Sequence, residues 1–361
     1  MHLPEFGQHV LMKDRRLVMG PPTQALLPMK YKWLYNIFDK ANNNFWLPRQ
    51  IGMQDDKYEY TQLPPNAAHF YDYLFSMLTT MDLVVTDALE ATIMPWATAP
   101  EFRSWLALQG YQEAIHSDSY TLIAQEIAAD EDRLFGMYLT ERPIYDKIAM
   151  AARYNERIEQ ALYCTNDEEA LRGFIVGYAF WAIMLEGIWF FLGLSIGGYP
   201  VAQYGKMRGT GDQFNYIRRD ENLHYHTGIS IIQNIISENP GIWTSDLVEE
   251  IKGMVEEGLD LEKRFAEAAL VELPGLSSAS YMQECRYQAM VILRRLGIDM
   301  YTDSAQTLKW LTALVDLRKE KNFFETHVDE YQTGVNLFED ADEQIPASPD
   351  GMDWDDPVRG G

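Results

Sequence analysis

Residues 174 to 199 form an apolar stretch long enough to cross a bilayer, and Glu186 is its only charged residue. Such a stretch folds either as a membrane span or as a helix buried on all sides within a bundle. A central carboxylate is costly in a membrane, and no lysine-rich loop and no second span accompany the stretch. We therefore expect a buried helix in a soluble chain that does not associate with membranes.

The overall charge and the cysteine content exclude several classes of protein. The chain of 361 residues has a formal net charge of -24, which repels phosphate backbones, so we expect no binding to nucleic acid. The only cysteines are Cys164 and Cys285, too few for a disulfide framework. The first residues, MHLPEFGQHV, lack the pattern of a secretory signal. Together these features predict a cytoplasmic protein.

Most of the chain has the hydrophobic periodicity of long helices, and no long segment alternates with period two. We expect an all-α fold made of one domain, because no linker rich in proline or serine interrupts it. The sequence Thr165-Asn-Asp-Glu168 predicts a capping box at the start of the apolar helix. The predicted helices cover residues 28–44, 66–93, 98–128, 141–160, 165–197, 211–238, 245–271 and 278–296.

Two Glu-x-x-His motifs lie inside predicted helices, at Glu113/His116 and at Glu221/His224. Residues three apart share one face of a helix, so each pair can direct a carboxylate and an imidazole at the same point. These donors suit iron or manganese ions. A single motif would carry little weight, but two of them favour a centre that holds two metal ions.

A pair of ions also needs bridging carboxylates, and we expect Asp82 and Glu186 to supply them. Glu186 is alone in the apolar helix, where an uncompensated carboxylate would be costly, and Asp82 lies on a mostly apolar helix. Asp87 and Glu90 are weaker candidates, because the helix is more polar there. The six residues match the ligand pattern of ferritin-like helical bundles with two metal ions. The alternative is a set of surface salt-bridge residues with two core histidines.

Tyr120 lies four residues after His116, one turn further along the same helix face. This spacing places its ring beside the predicted metal site, where oxidation to a tyrosyl radical is chemically reasonable. The alternative is an ordinary core tyrosine. Phe190, Leu194 and Ile217 are the side chains that we expect to shield the radical from water.

Several segments together resemble the small (beta) subunit of class I ribonucleotide reductase. The resemblance rests on YQEAIHSDSY (111–120), on RRDENLH (218–224), on Phe45-Trp46 followed by a proline, on LPPNAAHF with its spacing to Asp82, and on FFETHVDEYQ (323–332). It extends from about residue 28 to 338 and is highly specific as a joint pattern. One departure is Leu194, which stands where many members have a second phenylalanine near the radical.

The resemblance implies a role for each matching residue. The six metal ligands would be Asp82, Glu113, His116, Glu186, Glu221 and His224. Tyr120 would carry the stable radical that the metal site generates by activating oxygen. Trp46 and Asp220 would relay it towards the surface, and Tyr331 would continue the relay in the C-terminal tail. The large catalytic subunit would then reduce a ribonucleoside diphosphate for deoxyribonucleotide synthesis.

The resemblance also implies a domain layout, a cofactor and partners. We expect an N-terminal arm (1–27), a ferritin-like domain that generates the radical (28–338) and an acidic tail (339–361) that docks on the large subunit. The cofactor would be two metal ions, with iron as the first expectation and manganese or mixed manganese–iron pairs left open. A homodimer is the default assembly.

Two rival functions use the same metal ligands. A di-metal oxidase or oxygenase would act on a bound organic substrate and would need an apolar substrate channel. A metal-storage bundle of the ferritin type is usually half this length and needs no shielded tyrosine. Tyr120, Trp46 and the acidic tail favour the reductase subunit.

Overall fold

The fold is known from a computed structural model that describes residues 26–127 and 130–311. Within these ranges the protein is helical, and its only β-structure is an isolated bridge between Leu273 and Leu276. The predicted all-α class is therefore confirmed. The helices, in chain order, are α1 (Lys32–Asn42), α2 (Asp56–Tyr60), α3 (Pro65–Ala88), α4 (Pro100–Ile127), α5 (Glu131–Thr140), α6 (Arg142–Tyr163), α7 (Asp167–Ala179), α8 (Phe191–Gly197), α9 (Tyr199–Tyr204), α10 (Arg208–Glu238), α11 (Ser245–Ala269) and α12 (Ser278–Arg295).

The apolar stretch is the central helix of the bundle. It starts as α7, continues as a π-helical segment over Phe180–Phe190 and ends as α8. The segment packs against α10, α11 and α12, and all its residues are buried. One helix, Asp167–Tyr204, is long and apolar enough to span a membrane, but 94% of its most apolar window is buried inside the protein. The burial agrees with the expectation of a core helix.

Three details of the helices differ from the sequence predictions. The cap of α7 is Asn166 rather than Thr165, because the Asn166 side chain accepts hydrogen bonds from the backbone N–H groups of Glu168 and Glu169. Part of the predicted apolar helix is π-helical, and so is Leu89–Ile93 after α3. The short helices α2, α5 and α9 were not predicted.

Helix α2 fixes the start of α10, the long helix that carries the second Glu-x-x-His motif. The buried Asp56 carboxylate accepts hydrogen bonds from the backbone N–H groups of Gly209 (3.2 Å) and Thr210 (2.6 Å). A Cβ atom at Gly209 would lie 2.5 Å from the carbonyl oxygen of Gly52, so only glycine allows this close approach. This anchoring sets the position of α10 relative to α4.

Candidate metal centre

Six buried donor side chains meet between α3, α4, the π-helical segment and α10. None of them is more than 2% exposed, although four of them are carboxylic acids. They form two overlapping groups whose donor atoms lie within 4.8 Å of one another. The first group is Asp82, Glu113 and His116, and the second is Glu113, Glu186, Glu221 and His224. The structure thus brings together all six side chains that the sequence singled out.

The expectation that Asp82 and Glu186 form the bridges does not agree with this geometry. The Nδ1 atom of His116 lies 3.0 Å from Glu113 Oε2 and 3.1 Å from Glu221 Oε1. The Nδ1 atom of His224 lies 3.0 Å from Glu113 Oε1 and 3.1 Å from Glu221 Oε2. The carboxylates of the two Glu-x-x-His motifs therefore face both histidines, whereas Asp82 and Glu186 each belong to one group.

The way in which α4 and α10 face each other explains why sequence spacing did not indicate this arrangement. Spacing shows that Glu113 and His116 share a face of α4, and that Glu221 and His224 share a face of α10. It does not show that these two faces oppose each other closely enough for each glutamate to reach the histidine of the other helix. Asp87 and Glu90, the weaker candidates, are exposed and lie outside the cluster.

The second ring nitrogen of each histidine is held by a different group. His116 Nε2 lies 3.5 Å from Asp220 Oδ2, and His224 Nε2 lies 3.0 Å from Gln112 Oε1. Both Nδ1 atoms are thereby turned towards the carboxylates. Sequence reasoning identified Asp220 but missed Gln112, whose position four residues before His116, on the same helix face, was the available signal.

A second amide side chain, that of Gln109, positions Glu186, and the sequence analysis did not identify it. The side-chain N–H of Gln109 donates to Glu186 Oε1 at 3.0 Å, and Glu186 Oε2 lies 3.5 Å from His224 Nδ1. Gln109 precedes Glu113 by one helical turn, so its alignment with the motif could have indicated this role.

The electrostatics of the cluster fit a cationic cofactor. Burial, together with the nearby charge of Glu113, raises the pKa of Asp82 well above its usual range, and burial with Glu221 does the same for Glu186. Both Asp82 oxygens are buried without a hydrogen-bond partner in the described part of the chain. Buried, unpaired carboxylate oxygens are expensive unless a metal ion compensates them. The donor set, four carboxylates and two imidazoles, suits two ions such as iron or manganese.

Tyr120 lies fully buried on α4 beside this cluster. Burial raises the pKa of its hydroxyl well above the usual value, and the charge of Asp82 adds to the effect. Among the described residues, its hydroxyl has no hydrogen-bond partner. Its ring centroid lies 6.4 Å from that of Phe214, a neighbour that the sequence analysis missed. These surroundings favour the protonated form of the Tyr120 phenol.

Phe190, Leu194 and Ile217 are all buried, as residues that exclude water should be. Their shielding of Tyr120 stays a prediction. Phe214 lies three residues before Ile217 on the same face of α10. This spacing was the sequence signal that could have identified Phe214 as a further neighbour of Tyr120.

Trp46 connects the histidine side of the cluster to the outside of the bundle. Its indole N–H donates to Asp220 Oδ2 at 2.8 Å, and its ring lies 6.4 Å from the His116 ring. The neighbouring Phe45 is 54% exposed, so this chain of contacts ends near the surface. Arg219 and Trp46 both contribute to keeping the pKa of Asp220 low despite its burial, which favours a charged carboxylate. Tyr331, the expected next member, lies outside the described residues.

A small hollow of about 10 Å³ adjoins the opposite side of the cluster. Its polar end is formed by Gln109, Glu186 and His224. The rest of its lining is mostly apolar and consists of Leu89, Ile93, Tyr178, Trp181, Ala182 and Gly228. Both π-helical segments contribute to this wall, in keeping with the frequent occurrence of π-helical turns at functional sites.

Comparison with known proteins gives one consistent result. The family described as "Ribonucleotide reductase, small chain" matches residues 24–307. The ribonucleoside-diphosphate reductase subunit beta of Chlamydia pneumoniae is 31% identical over 315 residues, covering 86% of this chain and 91% of that protein. The subunit beta of Treponema pallidum is 28% identical over 337 residues, covering 91% and 94%.

Solved structures give the same picture. The ribonucleotide reductase R2 subunit of Clostridium botulinum superimposes with a TM-score of 0.72 at 26% identity, covering 81% of this chain and 90% of that one. The Rnr4 homodimer of Saccharomyces cerevisiae, at 17% identity, shares the fold with a TM-score of 0.66 over 87% of this chain and 96% of that one.

Proposed function

The chain belongs to the family of ribonucleotide reductase small chains, and from that premise we propose that Tyr120 is the residue whose oxidation makes it a radical-generating subunit. The observation that supports this assignment most directly is a fully buried tyrosine, without a hydrogen-bond partner in the described ranges, beside six buried donor groups. As the small subunit of a ribonucleoside-diphosphate reductase, it would serve deoxyribonucleotide synthesis without binding the nucleotide substrate itself.

The metal ligands in this proposal are Asp82, Glu113, His116, Glu186, Glu221 and His224. Two ions bound there would supply the oxidising power, through oxygen activation, that removes an electron and a proton from Tyr120. Glu113 and Glu221 would contribute to holding both ions, because each faces both histidines. We propose an iron pair, with manganese or a mixed pair as alternatives that use the same donor types.

The surroundings of Tyr120 keep its phenol protonated and exclude water from it. Burial raises the pKa of the hydroxyl, which disfavours loss of the proton before the electron. A phenol with no partner in the described part of the protein has no donor from which it could readily regain a hydrogen atom. These features suit a long-lived radical.

The route from the site to the partner starts at His116. Asp220 lies between the His116 ring and the Trp46 indole, and it accepts the indole N–H at 2.8 Å. Its charged carboxylate can take up the proton when Trp46 gives an electron, so the pair can move charge without leaving an uncompensated cation in the core. Tyr331 is the proposed next step towards the large subunit.

The partners and the location follow from family membership and composition. We propose that the chain works with the large catalytic subunit of ribonucleotide reductase, forms a homodimer and is cytoplasmic. The yeast relative whose fold it shares is described as a homodimer. The proposed layout is an arm over 1–27, a folded domain over 28–338 and a docking tail over 339–361.

Removing the acidic tail tests the docking role. A chain truncated after Leu337 should keep its metal content and its tyrosyl radical, because the metal ligands and Tyr120 all lie within α3 to α10. It should lose nucleotide reduction with the large subunit, measured as deoxynucleotide formed. Undiminished turnover by the truncated chain would contradict a docking function for residues 339–361.

The rival oxygenase would bind an organic substrate in the hollow beside Glu186 and His224. At about 10 Å³, this hollow has room for roughly one water molecule and lies far below the roughly 300–1,000 Å³ that ligand pockets usually occupy. It has no room for an organic substrate. This observation favours the reductase subunit.

Reconstitution tests the proposed function as a whole. The chain loaded with iron or manganese, mixed with the large subunit from the same cells, should reduce a ribonucleoside diphosphate. A Glu221→Ala variant, which lacks one proposed ligand of both ions, should fold but show no turnover. Equal turnover by this variant and the wild type would contradict the role of the metal centre.

A further inference from the structure

The two histidines of the candidate centre are supported by groups of different charge. The Nε2 atom of His116 faces Asp220, a carboxylate that also accepts a hydrogen bond from Trp46. The Nε2 atom of His224 faces Gln112, a neutral amide whose oxygen lies 3.0 Å away. The Nδ1 atoms of both rings face the same two glutamates. The two sides differ in the group beside Nε2 and in the further carboxylate, which is Asp82 beside His116 and Glu186 beside His224.

Gln112 is well placed to hold the His224 ring. It lies on α4 directly before Glu113, and its side chain is 6% exposed, so little water competes for its amide. The edge of the same imidazole is covered by Trp105, whose ring centroid is 6.0 Å away at an angle of 77°. The indole nitrogen of Trp105 has no hydrogen-bond partner within residues 26–127 and 130–311, so Gln112 supplies the polar contact on this side.

We propose that Gln112 is a positioning residue that holds His224 with its Nδ1 atom free for a metal ion, and that its neutral amide makes this ion position the weaker of the two. This inference deepens the proposed metal centre and rests on it. A carboxylate behind a ligating imidazole increases the basicity of the ring, whereas an amide only orients it. The His116 position should therefore fill before the His224 position when metal is limiting.

Two substitutions of Gln112 distinguish a role in positioning His224 from a role in packing alone. Gln112→Met keeps the length and volume of the side chain but removes the acceptor, whereas Gln112→Glu keeps an oxygen at the same place. Gln213→Leu is a matched control, because Gln213 is another fully buried amide and it contacts Ser119 and Met53 instead of a ligand. Thermal unfolding of the metal-free proteins shows that each variant folds.

The readout is equilibrium dialysis with Mn²⁺, combined with electron paramagnetic resonance to distinguish single ions from coupled pairs. We expect Gln112→Met to bind the second ion about 10–100-fold more weakly than the wild type, which is the usual effect of losing such a supporting contact. At limiting Mn²⁺ it should show the signal of a single ion. Gln112→Glu should bind the second ion at least as tightly as the wild type, and Gln213→Leu should match the wild type.

The outcomes distinguish this inference from the proposed function. If the wild type binds two ions and Gln112→Met binds both equally well, the role of Gln112 is wrong and the metal centre stands. If the wild type binds no buried pair of ions, and Glu221→Ala changes nothing, the metal centre itself is wrong. A Gln112→Glu variant as weak as Gln112→Met would also overturn the proposed role.

Discussion

Two tryptophans flank the two histidines of the centre, and their indole N–H groups differ in their hydrogen-bond partners. Trp46 donates to the Asp220 carboxylate, whereas the Trp105 nitrogen has no partner in the part of the chain that the structure describes. An oxidised indole needs a place for its proton, and only Trp46 has a charged acceptor next to it. At the scale of single residues, this difference favours the proposed relay on the His116 side over one through Trp105.

Replacing Trp46 by phenylalanine tests this direction. Trp46→Phe removes the N–H that Asp220 accepts while keeping an aromatic ring, so the metal ions and the Tyr120 radical should remain. Turnover with the large subunit should fall by about 10²–10⁴-fold, the usual contribution of a positioned proton-transfer group. The matched control is Trp96→Phe, which alters another fully buried indole, one that packs on Phe174. Full turnover by Trp46→Phe would show that another route is used.

At the scale of elements, the π-helical segment Phe180–Phe190 links the apolar core to the metal ligands. Its apolar composition and the lone Glu186 were enough to predict a buried helix with a functional carboxylate. Its π-helical geometry could not be predicted, because neither a proline nor another local signal marks the change in helical pitch. The proposed role of Glu113 and Glu221 in holding both ions could not be predicted either, because it depends on how α4 and α10 approach each other.

A second buried polar group joins the outer helices of the bundle. Lys147 on α6 contacts Glu262 on α11 at 2.6 Å, and Tyr281 on α12 donates to the same carboxylate at 2.7 Å. Both charged side chains are fully buried, and the Lys147 nitrogen lies 4.6 Å from the centre of the Trp189 ring. Three helices and the π-helical segment thus meet at one ion pair.

Lys147→Met should destabilise the protein strongly, because it leaves the Glu262 charge buried without its partner. The expected cost is about 3–5 kcal/mol, measured as the change in the free energy of unfolding in urea. Arg153→Met is the matched control, since it breaks an exposed ion pair with Glu257 and should cost no more than about 1 kcal/mol. Equal effects of the two substitutions would contradict the structural role of the buried pair.

At the scale of the whole molecule, acidic residues are in large excess, and four of them are buried in the candidate centre. The net charge of -24 alone does not show which acids are buried. The periodicity of apolar residues distinguished them: Asp82 and Glu186 interrupt apolar helices, whereas Asp87 and Glu90 occur where the chain becomes more polar, at the end of α3 and just after it, and are exposed. The sequence analysis did not identify Gln109 and Gln112, because an uncharged amide does not interrupt the apolar periodicity as clearly as a carboxylate does.

The buried acids predict an unusual dependence of stability on pH for the metal-free protein. Burial raises the pKa of Asp82 and Glu186 from ordinary values of 3.8 and 4.5, so the folded chain holds protons that the unfolded chain has lost. Stability from these groups is therefore present below about pH 4 and is lost as the pH rises towards the folded pKa values. The pKa of Glu221 is lowered, so the stability that it contributes is lost as the pH falls, but only below its ordinary pKa of 4.5.

Unfolding experiments at pH 5 and pH 8 test this dependence. The metal-free protein should be less stable at pH 8, and the stabilisation by added Mn²⁺ should be larger there, because the ion competes with protons for the carboxylates. Glu186→Gln should weaken the dependence on pH, which separates the buried acid from general surface repulsion. A metal-free protein that gains stability from pH 5 to pH 8 would contradict the buried cluster.

The most direct test of the central claim is electron paramagnetic resonance, with metal analysis, on the wild type and Tyr120→Phe purified from the protein's own cells. Tyr120 carries the radical in this account, and its hydroxyl has no hydrogen-bond partner among the described residues. The wild type should therefore contain two metal ions per chain and a tyrosyl radical. Tyr120→Phe should keep both ions and lose the radical. A tyrosyl signal of undiminished intensity in Tyr120→Phe would contradict the account.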